Sequence, residues 1–178
     1  MRENRPMRKA ICGALLLIAS MQAESAAGLK WTAPAGWSSQ GSAPFRVVTW
    51  KVPAAAGGDN NAAEYIVYFF GPGQGGSVEA NLDRWKGQFS QNGQPAEAKI
   101  AKRTIHGVNM TTIDLTGTYT ATGGQVKDGQ GPLPGYRMVA TVAEGPTGNL
   151  FIRFIGPEKT VTAGLPKYEQ LLNSFQRE

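Results

Sequence analysis

Between clusters of glycine and proline, the apolar residues of this chain recur in runs of strand length, and these runs set its reading. Residues 29–31 make a short strand ahead of the turn Pro34-Ala35-Gly36-Trp37, and residues 45–51 make a second. Residues 56–61 form a polar, glycine-rich loop. Residues 64–70 (EYIVYFF) are apolar on both phases of the alternation, so that strand needs cover on both faces. A glycine-rich turn at 71–76 leads into a helix over 77–89. Ser77 caps this helix and Glu79 favours its positive end. Val78, Leu82, Trp85 and Phe89 recur at helical spacing and form one apolar stripe, while Glu79, Asp83, Arg84 and Lys86 look outward.

Strands follow at 99–105, 108–120, 136–143 and 150–155. The first two join at His106-Gly107 and the last two across 144–149, so both pairs read as antiparallel hairpins. Between the hairpins, residues 121–135 are a polar loop with five glycines and two prolines. A closing helix over 166–175 starts on Pro166, a residue suited to a first helical turn. It buries Tyr168, Leu171, Leu172 and Phe175. The order strands, helix, strands, helix predicts an α+β domain in which an antiparallel sheet is sandwiched between helices (α/β/α). No internal repeat or linker divides it.

The first 27 residues change the picture. Arg2, Arg5, Arg8 and Lys9 precede an apolar run of roughly 10 residues, and Ala23, Ser25, Ala26 and Ala27 follow it. A bilayer span takes about 20 apolar residues. The pattern is that of a secretory signal peptide, over 1–27, cleaved near Ala27 to leave one domain over 28–178. A start at Met7 would keep Arg8 and Lys9 as the basic region. The expected location is the periplasm or the extracellular medium, with no stable membrane span after cleavage. The leader carries four basic residues against Glu3 and Glu24, so its removal takes two charges from the formal +5. What remains is too dispersed for a nucleic-acid footprint. The only cysteine, Cys12, lies in the leader at the start of the apolar run, where a lipid-attachment cysteine would not sit.

The candidate chemistry is thin. Gly71, Gly73 and Gly76 satisfy G-x-G-x-x-G between a strand and a helix, but the next segment (AEAKIAKRTI) lacks the acidic residue that would hold a ribose. A chain with 23 glycines meets that pattern by chance. His106, the only histidine, lies in a tight turn, and no G-x-S-x-G elbow exists. The ligand set of a structural zinc site is absent. Three charges stand out because they interrupt apolar strands: Asp114 in TTIDLTG, Arg153 in LFIRFIG, and Arg137 at the start of its strand. Such charges must be paired or reach the sheet edge. Salt bridges at the ends of the sheet account for them. An anion-binding pocket built on Arg137 and Arg153 is the sharper alternative. Trp31, Trp37, Trp50 and Trp85 would suit a carbohydrate platform, although the helix stripe already accounts for Trp85.

Three short features together resemble a known family. They are the opening Trp31-Thr32-Ala33-Pro34-Ala35-Gly36-Trp37, the aliphatic-aromatic strand 65–70 with its following Trp85 helix, and the closing Leu171-Leu172-Asn173-Ser174-Phe175. With them the chain resembles PsbP-like proteins, named for an extrinsic lumenal subunit of photosystem II, and their exported bacterial relatives. The Ran-binding nuclear release factors share that fold. The resemblance implies an antiparallel sheet between helical layers and a binding or assembly role rather than catalysis. The N-terminal segment and metal-linked histidines of the photosynthetic members have no matching positions here, so no functional residue carries over.

The expectation is therefore an exported, non-enzymatic binding or accessory protein without cofactor or metal. Its partner is a protein or a small extracytoplasmic ligand. Residues 121–135, with 56–61, form the working surface, and Asp114, Arg137 and Arg153 are the candidate ligand-binding residues. The competing expectation is an extracellular hydrolase using an unrecognised carboxylate or serine site, with Asp114 as its best acid.

Overall fold

The computed structural model describes residues 23–56, 62–120 and 131–178. It is an α+β fold dominated by antiparallel sheet. In chain order the elements are β1 (Ala23–Ala26), β2 (Leu29–Thr32), β3 (Ser38–Ser39), β4 (Arg46–Val52), β5 (Ala63–Tyr68), α1 (Val78–Lys86), β6 (Phe89–Gln91), β7 (Gln94–Pro95), β8 (Ala98–Ile105), β9 (Val108–Tyr119), β10 (Leu133–Gly145), β11 (Gly148–Pro157), α2 (Glu158–Ser174) and β12 (Gln176–Arg177). The main sheet runs β3-β4-β5-β11-β10-β9-β6-β7, with β8 also paired to β9; a small sheet runs β1-β2-β12.

The long hairpins are where the sequence pattern puts them. His106 and Gly107 both have positive φ, as a two-residue turn matching the strand twist requires. Ile105 then faces Val108, and the register continues unbroken to Ala98 opposite Leu115. β10 and β11 pair from Tyr136 opposite Pro157 to Gly145 opposite Gly148, so their turn is shorter than the sequence suggests. β5 pairs with β4 and β11 and is covered on both faces, as its two-phase apolar pattern demands.

Alternation along the strands divides the core in two. On one face Tyr65, Val67, Ile152 and Phe154 pack with Val161, Tyr168, Leu171 and Leu172 of α2 and with Trp31 of β2. On the other, Ile66, Ile113, Leu115, Met138 and Phe151 pack with Leu82 and Trp85 of α1. α1 ends at Lys86, so Phe89 completes the apolar stripe from β6 rather than from the helix. The Ser77 hydroxyl caps α1 by accepting from the Ala80 N–H at 3.1 Å.

Two elements depart from the pattern. α2 begins at Glu158, directly after β11, so Pro166 lies inside the helix and not at its start. Thr160, Val161 and Gly164 extend the buried stripe backward from Tyr168 at helical spacing, and packing overrides their low helical propensity. Gly164 is there for closeness: a Cβ on it would stand 2.5 Å from the Phe154 ring. The second departure is β1. Ala23–Ala26, which the sequence pattern places in the leader, forms a hairpin with β2, in which Glu24 faces Trp31 and Ala26 faces Leu29. Ala27 is buried, and its carbonyl accepts from the Thr147 N–H at 3.2 Å.

Candidate functional site

β9 reads Thr111-Thr112-Ile113-Asp114-Leu115-Thr116, and its alternation sends Ile113 and Leu115 into the α1-side core. Thr112, Asp114 and Thr116 therefore share the α2 side. On β10, Val139 faces Asp114 and Arg137 faces Thr116, which makes Arg137 the diagonal neighbour of Asp114. The two close on each other as a fork. Arg137 Nε donates to Asp114 Oδ1 at 2.9 Å, and a second guanidinium nitrogen donates to Oδ2 at 2.6 Å. The third nitrogen donates to the Thr162 hydroxyl at 2.8 Å. Because α2 starts at Glu158, Thr162 stands one turn in, above the guanidinium. The hydrogen bond to Asp114 raises the Arg137 pKa; partial burial opposes this, and the charges of Asp114 and Glu158 add to it.

This pair floors a polar cleft of about 260 Å³, lined also by Gln91, Glu97, Lys99, Thr116 and Glu158. Lys99 is the direct cross-strand partner of Asp114 from β8. Three carboxylates and two cations thus meet at one end of the sheet. Farther along the same face, Thr112, Thr141 and Tyr168 link their hydroxyls in a buried file, with 2.8 Å between the two threonine oxygens.

Arg153 is not part of this site. It lies on the other face of the sheet, buried, where Nε approaches Met138 Sδ at 3.4 Å and a terminal nitrogen donates to the Tyr119 hydroxyl at 3.2 Å. Burial, then the charge of Arg153, lowers the pKa of Arg84. Arg84 donates to the Asn81 side chain, and Asn81 in turn donates to the carbonyls of Gly75 and Ser77 at 2.9 and 2.8 Å. Of the three charges singled out from sequence, the fold thus joins Asp114 with Arg137 and separates Arg153 from both. The sequence pattern points to a helix start at Pro166, eight residues past Glu158, and so gives Thr162 and Glu158 no place in the site.

The other motifs find structural uses. Gly71, Gly73 and Gly76 all have positive φ and serve the turn, while a Cβ on Gly75 would stand 2.5 Å from the Phe151 ring. Every strand pairing in the described sheets is antiparallel, unlike the parallel unit of a dinucleotide fold. His106 Nδ1 lies 3.0 Å from the Phe175 carbonyl, which can only accept. Trp31 stacks on Phe175, and Trp37 and Trp50 pack around Tyr65. Among the described residues no three His, Cys, Asp or Glu side chains converge as a metal site, and no helix is long and apolar enough to cross a membrane. Residues 57–61 and 121–130 of the expected working loops lie outside the described residues.

No protein-family profile matches the chain, and no curated protein matches it in sequence. Solved structures do. The chain is similar to PA94 of Pseudomonas aeruginosa, itself of unknown function, at 13% identity and TM-score 0.50, over 86% of this chain and 94% of that one. It is also similar to the cyanobacterial PsbP of Synechocystis, at 15% identity and TM-score 0.47, over 95% and 98% of the two chains.

Proposed function

We propose that this chain is an exported binding or accessory protein, and that the cleft beside α2 is a recognition surface at which no covalent chemistry occurs. The observation that carries this reading is the Asp114–Arg137 fork. An acid or base catalyst must aim a proton or a lone pair at the substrate. Here both carboxylate oxygens are committed to one guanidinium, and Thr162 holds that guanidinium from above. The remaining lining groups offer donors and acceptors of both signs, which suits a polar small ligand or a protein surface.

A photo-crosslinking residue at Thr116, compared with one at Glu79 on the α1 side, tests the cleft in living cells. An adduct specific to position 116 that is lost in Glu158→Ala supports the reading. Equal labelling at both positions sinks it. Hydrolysis of a chromogenic ester or glycoside that Asp114→Asn abolishes would replace it with the hydrolase.

Export rests on the basic start, the apolar run and the small-residue exit. The β1–β2 hairpin supports an earlier end for the leader than Ala27. Cleavage after Ala27 would remove a paired strand and the buried turn residue, whereas cleavage after Ala23 keeps Glu24, Ser25 and Ala26 opposite Trp31, Lys30 and Leu29. Intact-mass measurement of the mature protein should find Glu24 first. A mature chain beginning at Gly28 would refute that boundary, and an uncut N-terminus in the cytoplasm would refute export.

A further inference from the structure

β8 is an open sheet edge. Among the described residues it pairs with β9 alone, over eight consecutive residues without a bulge, and it contains no proline. The turn at His106-Gly107 fixes which backbone groups are spoken for. Ile105 and Val108 close it as a hydrogen-bonded pair, and antiparallel pairing then alternates. Arg103, Ala101 and Lys99 therefore bond to β9. The N–H and C=O groups of Thr104, Lys102 and Ile100 point away from the sheet.

The side chains along this edge are equally unusual. Ile100 is one of two large apolar residues that the described fold exposes, at 46%. Lys102 lies on the same face, and Lys99 and Arg103 on the other. Arg103 is already paired with Glu169 of α2 at 2.6 Å. The strand Ala-Lys-Ile-Ala-Lys-Arg-Thr-Ile carries no acidic residue. Edge lysines discourage pairing with a second copy, because like charges would stand opposite one another. The same lysines favour an acidic strand.

We infer that β8 receives an extended acidic segment of another protein as an added antiparallel strand. Backbone bonds to Ile100, Lys102 and Thr104 would hold it, as in other β-augmentation complexes. Its order would be acid, any residue, apolar, acid, lying opposite Lys102, Ala101, Ile100 and Lys99. Ile100 and Lys102 line no part of the cleft, and of the contact residues Lys99 alone is shared with it.

The experiment uses the full mature chain and three labelled eight-residue peptides built on Glu-Thr-Val-Glu. One is unmodified, one is N-methylated on alternate amides at unchanged charge, and one has lysine for glutamate. The unmodified peptide should bind at least tenfold more tightly than the other two and slow amide exchange at Ile100, Lys102 and Thr104. Lys102→Pro removes one outward donor without touching the β9 ladder and should weaken binding tenfold. The double variant Lys99→Glu/Lys102→Glu should reverse the preference toward the lysine peptide, which keeps the test decisive if the proline variant does not fold. Equal binding of the N-methylated peptide would reduce the effect to charge alone and overturn the proposal. Absence of binding, or a concentration-dependent dimer that protects the same amides, would also overturn it.

Discussion

Tyr65 and Tyr168 sit 5.8 Å apart, ring to ring, on the α2-side core, yet their hydroxyls have opposite situations. Tyr168 shares its hydroxyl with Thr141, whereas the buried Tyr65 oxygen has no hydrogen-bond partner among the described residues. Tyr168→Phe should therefore cost about 1 kcal/mol, the worth of a lost hydrogen bond, while Tyr65→Phe should cost nothing or stabilise. Thermal melts of the two variants check this, and a large loss in Tyr65→Phe would contradict it. Burial raises both tyrosine pKa values above the ordinary 10.0. Above that pH the unfolded chain releases phenolic protons first, so stability falls as pH rises. The alkaline fall should be shallower in the double phenylalanine variant. Gly164 is a second residue-scale test. Gly164→Ala drives a methyl into the buried Phe154 ring, and overpacking of this kind costs roughly 1–3 kcal/mol. An unchanged melting temperature would show that α2 can slide away from the sheet. The burial of Tyr168 was legible in the sequence, but the neighbours of Gly164 and Tyr65 were not, because they are met only when α2 lies across β11 and β5. Asp114 and Arg137 were legible for the opposite reason: charges inside apolar strands must find partners wherever the fold leads.

Elements were readable where local pattern and tertiary burial agree. The α1 stripe is the clearest case. Leu82 and Trp85 are buried as their spacing requires, and Ser77 caps the helix. Trp85→Ala should leave a cavity costing about 3–5 kcal/mol, seen as an early melt or poor accumulation. A change within about 0.5 kcal/mol would mark Trp85 as surface. The hairpins β8–β9 and β10–β11 were legible because their turns are short and their strands long. The β6–β7 hairpin was not, since its polar residues carry no periodic signal. The start of α2 was misread because Pro166 is a strong local cue, and it was overruled by the stripe that Thr160, Val161 and Gly164 complete against the sheet. Thr162, which holds Arg137, and Glu158, which lines the cleft, lie in the turns before Pro166 and so carried no signal. The trio Asp114, Arg137 and Arg153 divided for a simpler reason. Residues 137 and 153 lie on different strands, and which faces they share depends on the β10–β11 register, which no local signal reports.

For the whole molecule, α+β class and antiparallel order followed from the succession of elements, but the role of the N-terminal segment did not. Its small residues are equally at home in a leader's exit and in a short strand, and the pairing of β1 with β2 depends on partners that no local signal reports. The same region closes the fold. β2 pairs with β1 on one side and β12 on the other, Trp31 stacks on Phe175 with ring centroids 4.9 Å apart, and the Thr32 N–H donates to the Ser174 hydroxyl at 3.0 Å. A chain ending at Ser174 should lose exchange protection at 29–32 while 138–142 stay protected, and equal protection at both would disprove the clasp. Contacts of such long sequence separation form late and at high entropic cost. A nascent chain that has not yet reached Phe175 can build its central hairpins, but it lacks the ring on which Trp31 stacks. The order of synthesis itself thus holds the start of the domain open until its final strand has been made.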